Sequence, residues 1–267
     1  MLRQLLVCCA IAFARHCDGL SLDGLAESCG ATDLTVIDSE SVLVTSSGVN
    51  WSADDMCIRK VASLSDLASL TVDLTGLGLA HSYFPVNLFT NATPTLRHLF
   101  IRAPNVLNGE LRTETFQGLD NLEVLTLEGL EGIRRMNESV FRPLRRLRSL
   151  TLIAVGQYWL TYSNLSAALQ GLESTPLTNL TLNAIHSLAH WEKVLDFSML
   201  NIRNVSLEFF ILINNDINSV ANSRLSTIQS LRSLRLAVHM LSAAFVYVTI
   251  VENILFFAYA NVSDNFF

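Results

Sequence analysis

Residues whose type and spacing could do chemistry are few in this chain. His186 and His190 stand four apart, a spacing that places two metal ligands on one face of a helix. No acidic residue lies between them and no third ligand candidate is close, so a polar return loop beside Trp191 is the expected role. His16, His81, His98 and His239 are scattered. HExxH, G-x-S-x-G, P-loop and GxGxxG patterns are all missing from the sequence. Nothing pairs a nucleophile with a base or cradles a cofactor. The expectation is a non-enzymatic protein with no catalytic residue, no metal and no cofactor.

The chemistry that the sequence does advertise is that of the secretory route. Asn-x-Ser/Thr occurs at Asn50, Asn91, Asn137, Asn164, Asn179, Asn204 and Asn261, with no proline at x. Residues 1–14 read as a signal peptide: Arg3 is the charged start, residues 5–13 form an uncharged apolar run, and Ala12 and Ala14 fit cleavage before Arg15. That run is too short to span a bilayer. Cysteine use agrees with an oxidising compartment. Cys8 and Cys9 leave with the signal; Cys17, Cys29 and Cys57 remain, all in the first fifth of the chain, and a metal site is disfavoured because no CxxC is present. The expected location is secreted, or the extracellular side of the plasma membrane.

Composition narrows the partners. The 267 residues are 50% hydrophobic and 16% charged, with a net charge of -6. That balance argues against nucleic acid as a general partner. Arg134, Arg135, Arg142, Arg145, Arg146 and Arg148 gather a third of the 18 basic residues within 15 positions. A solvated face is the default expectation for them, with contact to an acidic protein or polyanion as the sharper one.

Leucine is the unusual number. The chain holds 46, and they are periodic. The pattern L-x-x-L-x-L, with other aliphatics or Phe allowed, starts at Leu67, Leu96, Leu122, Leu147, Leu177, Leu207 and Leu231, at intervals of 24 to 30 residues. The last two apolar positions of each triplet are two apart, which puts them on one face of a short strand. One strand cannot bury that face alone, so stacked units must share a core and form a parallel sheet. Phe89, Phe116 with Leu119, and Phe141 with Leu144 are the expected anchors of the returning segments.

These triplets resemble those of leucine-rich-repeat proteins. Leu207-x-x-Phe210-x-Leu212-x-x-Asn215-x-Ile217 matches the full repeat pattern, whose Asn bonds the backbone at the turn after the strand. The equivalent positions elsewhere hold Thr75, Pro104, Leu130, Val155, Ile185 and His239, which predicts looser turns there. The resemblance implies an α/β horseshoe solenoid with a parallel concave sheet. Its expected parts are a signal at 1–14, an N-terminal flanking cap over 15–63, about seven repeats over 64–254, and a degenerate or truncated last repeat over 255–267. Within the cap it implies a disulfide, preferably Cys29–Cys57, with Cys17–Cys29 as the alternative. The apolar run at 243–260 carries Glu252 and Asn253 at its centre and no Lys or Arg after it. It reads as a buried last repeat rather than a membrane span.

Long, irregular repeats, dense sequons and Phe–Leu anchors are similar to the ectodomains of Toll-like receptors. That likeness implies extracellular recognition of a protein or microbial ligand, through the concave surface or a flank. A secreted matrix or adhesion protein, or an inhibitor, is the alternative. A homodimer is compatible with either, and a membrane is involved only if the chain is a piece of a longer receptor. In this frame the candidate ligand surface is Arg97, Phe100, Arg102, Glu128, Arg148, Phe209, Ile211 and Ile213, and the last three form an apolar patch.

Overall fold

The computed structural model describes residues 32–46, 51–75, 84–104, 109–156, 160–185, 194–196, 206–215, 219–221, 230–239, 244–251 and 254–261. They form a parallel-strand β-solenoid with few helices. β1 (Thr32–Asp38) and β2 (Ser41–Ser46) are an antiparallel hairpin, followed by helix α1 (Trp51–Ala62). At the hairpin turn the Asp38 carboxylate accepts the Glu40 amide at 2.9 Å. This bond, helped by Ser41, holds its pKa below the usual value.

One strand then comes from each Leu-x-x-Leu-x-Leu unit: β3 (Ser69–Asp73), β4 (His98–Arg102), β6 (Val124–Glu128), β8 (Ser149–Ile153), β9 (Asn179–Asn183), β11 (Phe209–Ile213) and β13 (Ser233–His239). Each pairs in parallel with its neighbours in this series, and β2 enters the same ladder beside β3. The register never slips between β2 and β13, because each strand has two inward residues that must meet their counterparts. Leu70, Leu99, Leu125, Leu150, Leu180, Phe210 and Leu234 make one buried row, and Val72, Ile101, Leu127, Leu152, Leu182 and Leu212 the next.

The returning chain closes this core from behind. Short strands β5 (Gly109–Leu111) and β7 (Ile133–Met136) pair in parallel there, as do β10 (Val194–Asp196) and β12 (Ser219–Ala221). Phe89, Phe116, Leu119, Phe141 and Leu144 are buried, as the spacing predicts. The Phe116 and Phe141 rings stack with centroids 6.0 Å apart and planes at 16°. Gly118, at φ +94°, packs on the Phe89 carbonyl where no Cβ would fit. Helix α2 (Tyr162–Gln170) lies in one return segment and starts at Thr161, whose hydroxyl accepts the Asn164 amide.

Backbone bonds continue the ladder one residue past β4, β6, β8 and β9: Ala103 to Glu128, Gly129 to Ile153, Ala154 to Asn183 and Ala184 to Ile213. Gly129, Ala154, Ala184 and Asn214 share a left-handed backbone at equivalent positions. Leu130 and Val155 fill the asparagine position with buried side chains, and at Ile185, also buried, the amide is bonded by Asn215 of the next turn. Asn215 is the one asparagine rung among the described residues. It is fully buried, donates through Nδ2 to the Leu182 carbonyl at 2.8 Å and accepts the Ile185 amide on Oδ1 at 2.7 Å.

The last strands also depart from the repeat. β14 (Ala244–Val251) runs antiparallel to β13, and β15 (Ile254–Asn261) antiparallel to β14. The 11-stranded sheet, in the order β1-β2-β3-β4-β6-β8-β9-β11-β13-β14-β15, thus has an antiparallel hairpin at each end rather than a further parallel turn. No helix among the described residues is long and apolar enough to cross a membrane.

Candidate functional site

Strand alternation creates the site. With the second and fourth residues of each strand inside, the first, third and fifth face away from the core. Parallel, in-register stacking lines these up into rows across the sheet. The row just before the strands carries Arg97, Glu123, Arg148, Thr178, Glu208 and Arg232. The middle row carries Thr71, Phe100, Thr126, Thr151, Thr181, Ile211 and Arg235, and the last row Asp73, Arg102, Glu128, Ile153, Asn183 and Ile213.

Charges in these rows alternate in sign. Arg102 stands between Asp73, at 4.0 Å, and Glu128, at 3.0 Å. Arg97 reaches Glu123 at 3.6 Å and donates to the carbonyls of Pro94 and Asn121. Arg232 meets Glu208 at 3.5 Å. Such half-exposed pairs contribute only about 0–1 kcal/mol each to folding. Their effect is to fix long side chains in a sign-alternating surface. No ion pair holds Arg148 among the described residues, and its side chain is exposed.

All eight residues expected on the ligand surface lie on this one face, but in separate groups. Arg97, Phe100, Arg102 and Glu128 cluster on β4 and β6, and Arg148 precedes β8. Phe209, Ile211 and Ile213 lie on β11. Phe100 and Phe209 are four strands apart, about 19 Å at the usual strand spacing. Between them runs a polar band of Ser149, Thr126, Thr151, Thr181 and Asn179. Phe209 is 45% exposed, whereas Ile211 and Ile213 are half-buried. Asp73 belongs to the charged group although the sequence reading began that surface at Arg97. The Leu67 triplet contains the signal, since Asp73 directly follows its last apolar position, Val72, as Arg102 follows Ile101.

The arginine cluster divides as its place in the repeat predicts. Arg142 and Arg145 line an open cleft of about 540 Å³ on the return side, with Thr113, Gln117 and Ser174. Arg145 faces Asp120 at 3.7 Å. Only Arg148 of the six sits at the sheet face.

Four sequons have described side chains. Asn91 and Asn137 are exposed on return segments, and Asn164 is half-buried in the first turn of α2. Asn137 accepts both the amide and the hydroxyl of Ser139, at 2.9 and 2.7 Å. Asn179 is exposed at the start of β9, on the sheet face. Asn261 ends β15. Asn50 and Asn204 lie outside the described residues, as do His186, His190 and the leader at 1–14. Cys57 is wholly buried in α1 and is disulfide-bonded. Cys17 and Cys29 lie outside the described residues.

Among the described residues no group of three or more His, Cys, Asp or Glu is placed to hold a metal ion. Comparison with protein-family models, with curated proteins and with solved structures finds no match to this chain.

Proposed function

We propose that this chain is an extracellular, non-enzymatic recognition module, a leucine-rich-repeat horseshoe of the Toll-like receptor type. The observation that carries the reading is the continuous exposed sheet face, on which one in-register array presents Asp73, Arg97, Phe100, Arg102, Glu123 and Glu128 together. Fixed charges of both signs around an aromatic residue suit a folded polar ligand, which needs complementary potential for specificity and an aromatic anchor for affinity. The ligand is a protein or a microbial surface component. Dense sequons and the apolar leader support the secretory route.

The experiment is expression of the full chain in a secretory host. The protein is expected in the medium, shortened by the 14 leader residues, and lighter after enzymatic removal of N-glycans. An intact N-terminus with no glycan shift contradicts the reading.

The cap belongs to the same proposal. Cys29 is assigned as the partner of Cys57, tying down α1 where it covers the start of the sheet. Replacing Cys57 with Ser is expected to cost about 2–5 kcal/mol, read by denaturant unfolding of the secreted protein. Non-reducing peptide mapping that links Cys57 to a different cysteine refutes the pairing.

A further inference from the structure

Phe209 is out of place. It is one of three large hydrophobic residues exposed among the described residues, with Ile37 and Val86, and the one of the three on a strand of the repeat ladder between β3 and β13. Its register partner on β9 is Asn179, the acceptor of the sequon Asn179-Leu180-Thr181. Leu180 points into the core, so Asn179 and Thr181 both face outward, beside Phe209 and Ile211. On the other side of Asn179 stands Ser149, which offers no apolar surface.

We propose that Asn179 carries an N-linked glycan whose first N-acetylglucosamine packs its C–H face on the ring of Phe209, closing the apolar end of the sheet face. The proposal rests on the secretory reading above. In the modifying step the Asn179 Nδ2–C1 bond forms as the C1–O bond to a lipid-linked diphosphate oligosaccharide breaks. The amide proton leaves with the diphosphate, and the host transferase does this before the strand stacks. Adjacent strands are about 4.8 Å apart, so a pyranose ring on Nδ2 spans the gap to the neighbouring side chain. The electron-rich face of an aromatic ring attracts the polarised C–H groups of a sugar. The glycan would cover the polar band around Thr181 by its bulk. Ligand contact is then left to the charged group on β3, β4 and β6.

The test uses the full chain secreted from a glycosylating host. Glycopeptide mass spectrometry is expected to find Asn179 occupied. Trimming with an endoglycosidase that leaves one N-acetylglucosamine should leave the melting temperature unchanged. Asn179→Gln should lower it by about 2–4 °C, the shift expected of one moderate contact in a chain of this size. In a Phe209→Ser background the same Asn179→Gln change should shift it by less than about 1 °C, since both partners of one contact are not lost twice. An equal shift in both backgrounds overturns the stacking. Asn179 unmodified while other sequons are modified overturns the inference and leaves the secretory reading standing. No sequon modified overturns both.

Discussion

Asn215→Leu is expected to destabilise the protein by about 2–6 kcal/mol, because it strands two buried backbone groups at roughly 1–3 kcal/mol each. Leucine shares asparagine's branched shape and is the residue found at the equivalent position 130, so only the modest cost of fitting its larger methyl groups is expected from packing. The hydrogen bonds forecast the larger loss. Without the amide, the Leu182 carbonyl and the Ile185 N–H lose the partners now at 2.8 and 2.7 Å in a site sealed from water. Asn215→Asp separates the two bonds. Its carboxylate can still accept from Ile185 but sets negative charge against the Leu182 carbonyl, so it should be at least as damaging. Denaturant unfolding with an unchanged slope measures both. A loss under 1 kcal/mol for Asn215→Leu would show that the rung is ornamental and that the ladder of backbone bonds suffices.

Phe141→Ala should cost about 3–5 kcal/mol, the usual range for emptying a buried aromatic site. The ring is fully buried on the return side and stacks on Phe116 of the preceding turn. Each ring therefore closes the core of its own turn and couples it to the next. Phe116→Ala should cost a similar amount, and the double variant less than the sum, since the contact between the rings is lost only once. Phe141→Leu should cost much less than Phe141→Ala, because it keeps most of the apolar volume. Equilibrium unfolding of the three variants checks this. Strict additivity would mean that neighbouring turns are not coupled through these rings.

The parallel sheet was legible because Leu67, Leu96 and their successors mark period-2 pairs at intervals long enough for a crossover. That one pattern places the buried rows, the Phe anchors and the outward residues on β4 through β11. A triplet pattern reports side chains, so it does not show the main-chain bonds at Ala154 and Ala184 or their left-handed backbone, a conformation alanine rarely adopts. The reversal after β13 is written in the spacing of the elements. Only four residues separate His239 from Ala244, too few for a return segment and enough for a hairpin. The repeat gave no account of α1 or of the β1–β2 hairpin, since neither belongs to a periodic unit. As for the candidate site, the sequence frame put all eight surface residues on one face. The same frame places polar Thr151 and Thr181 between the two groups, because consecutive units stack in sequence order.

The central claim is recognition through the β3–β6 end of the sheet face. Its most direct measurement is side-by-side binding of the secreted wild type, a Phe100→Ala/Arg102→Glu double variant and an Arg142→Glu/Arg146→Glu double variant to an array of microbial surface preparations and extracellular protein domains. The account predicts saturable binding that weakens at least about tenfold, or 1.4 kcal/mol, in the sheet-face variant and is unchanged in the return-side variant. Binding that ignores the sheet-face substitutions, or that is lost only with Arg142 and Arg146, would contradict it.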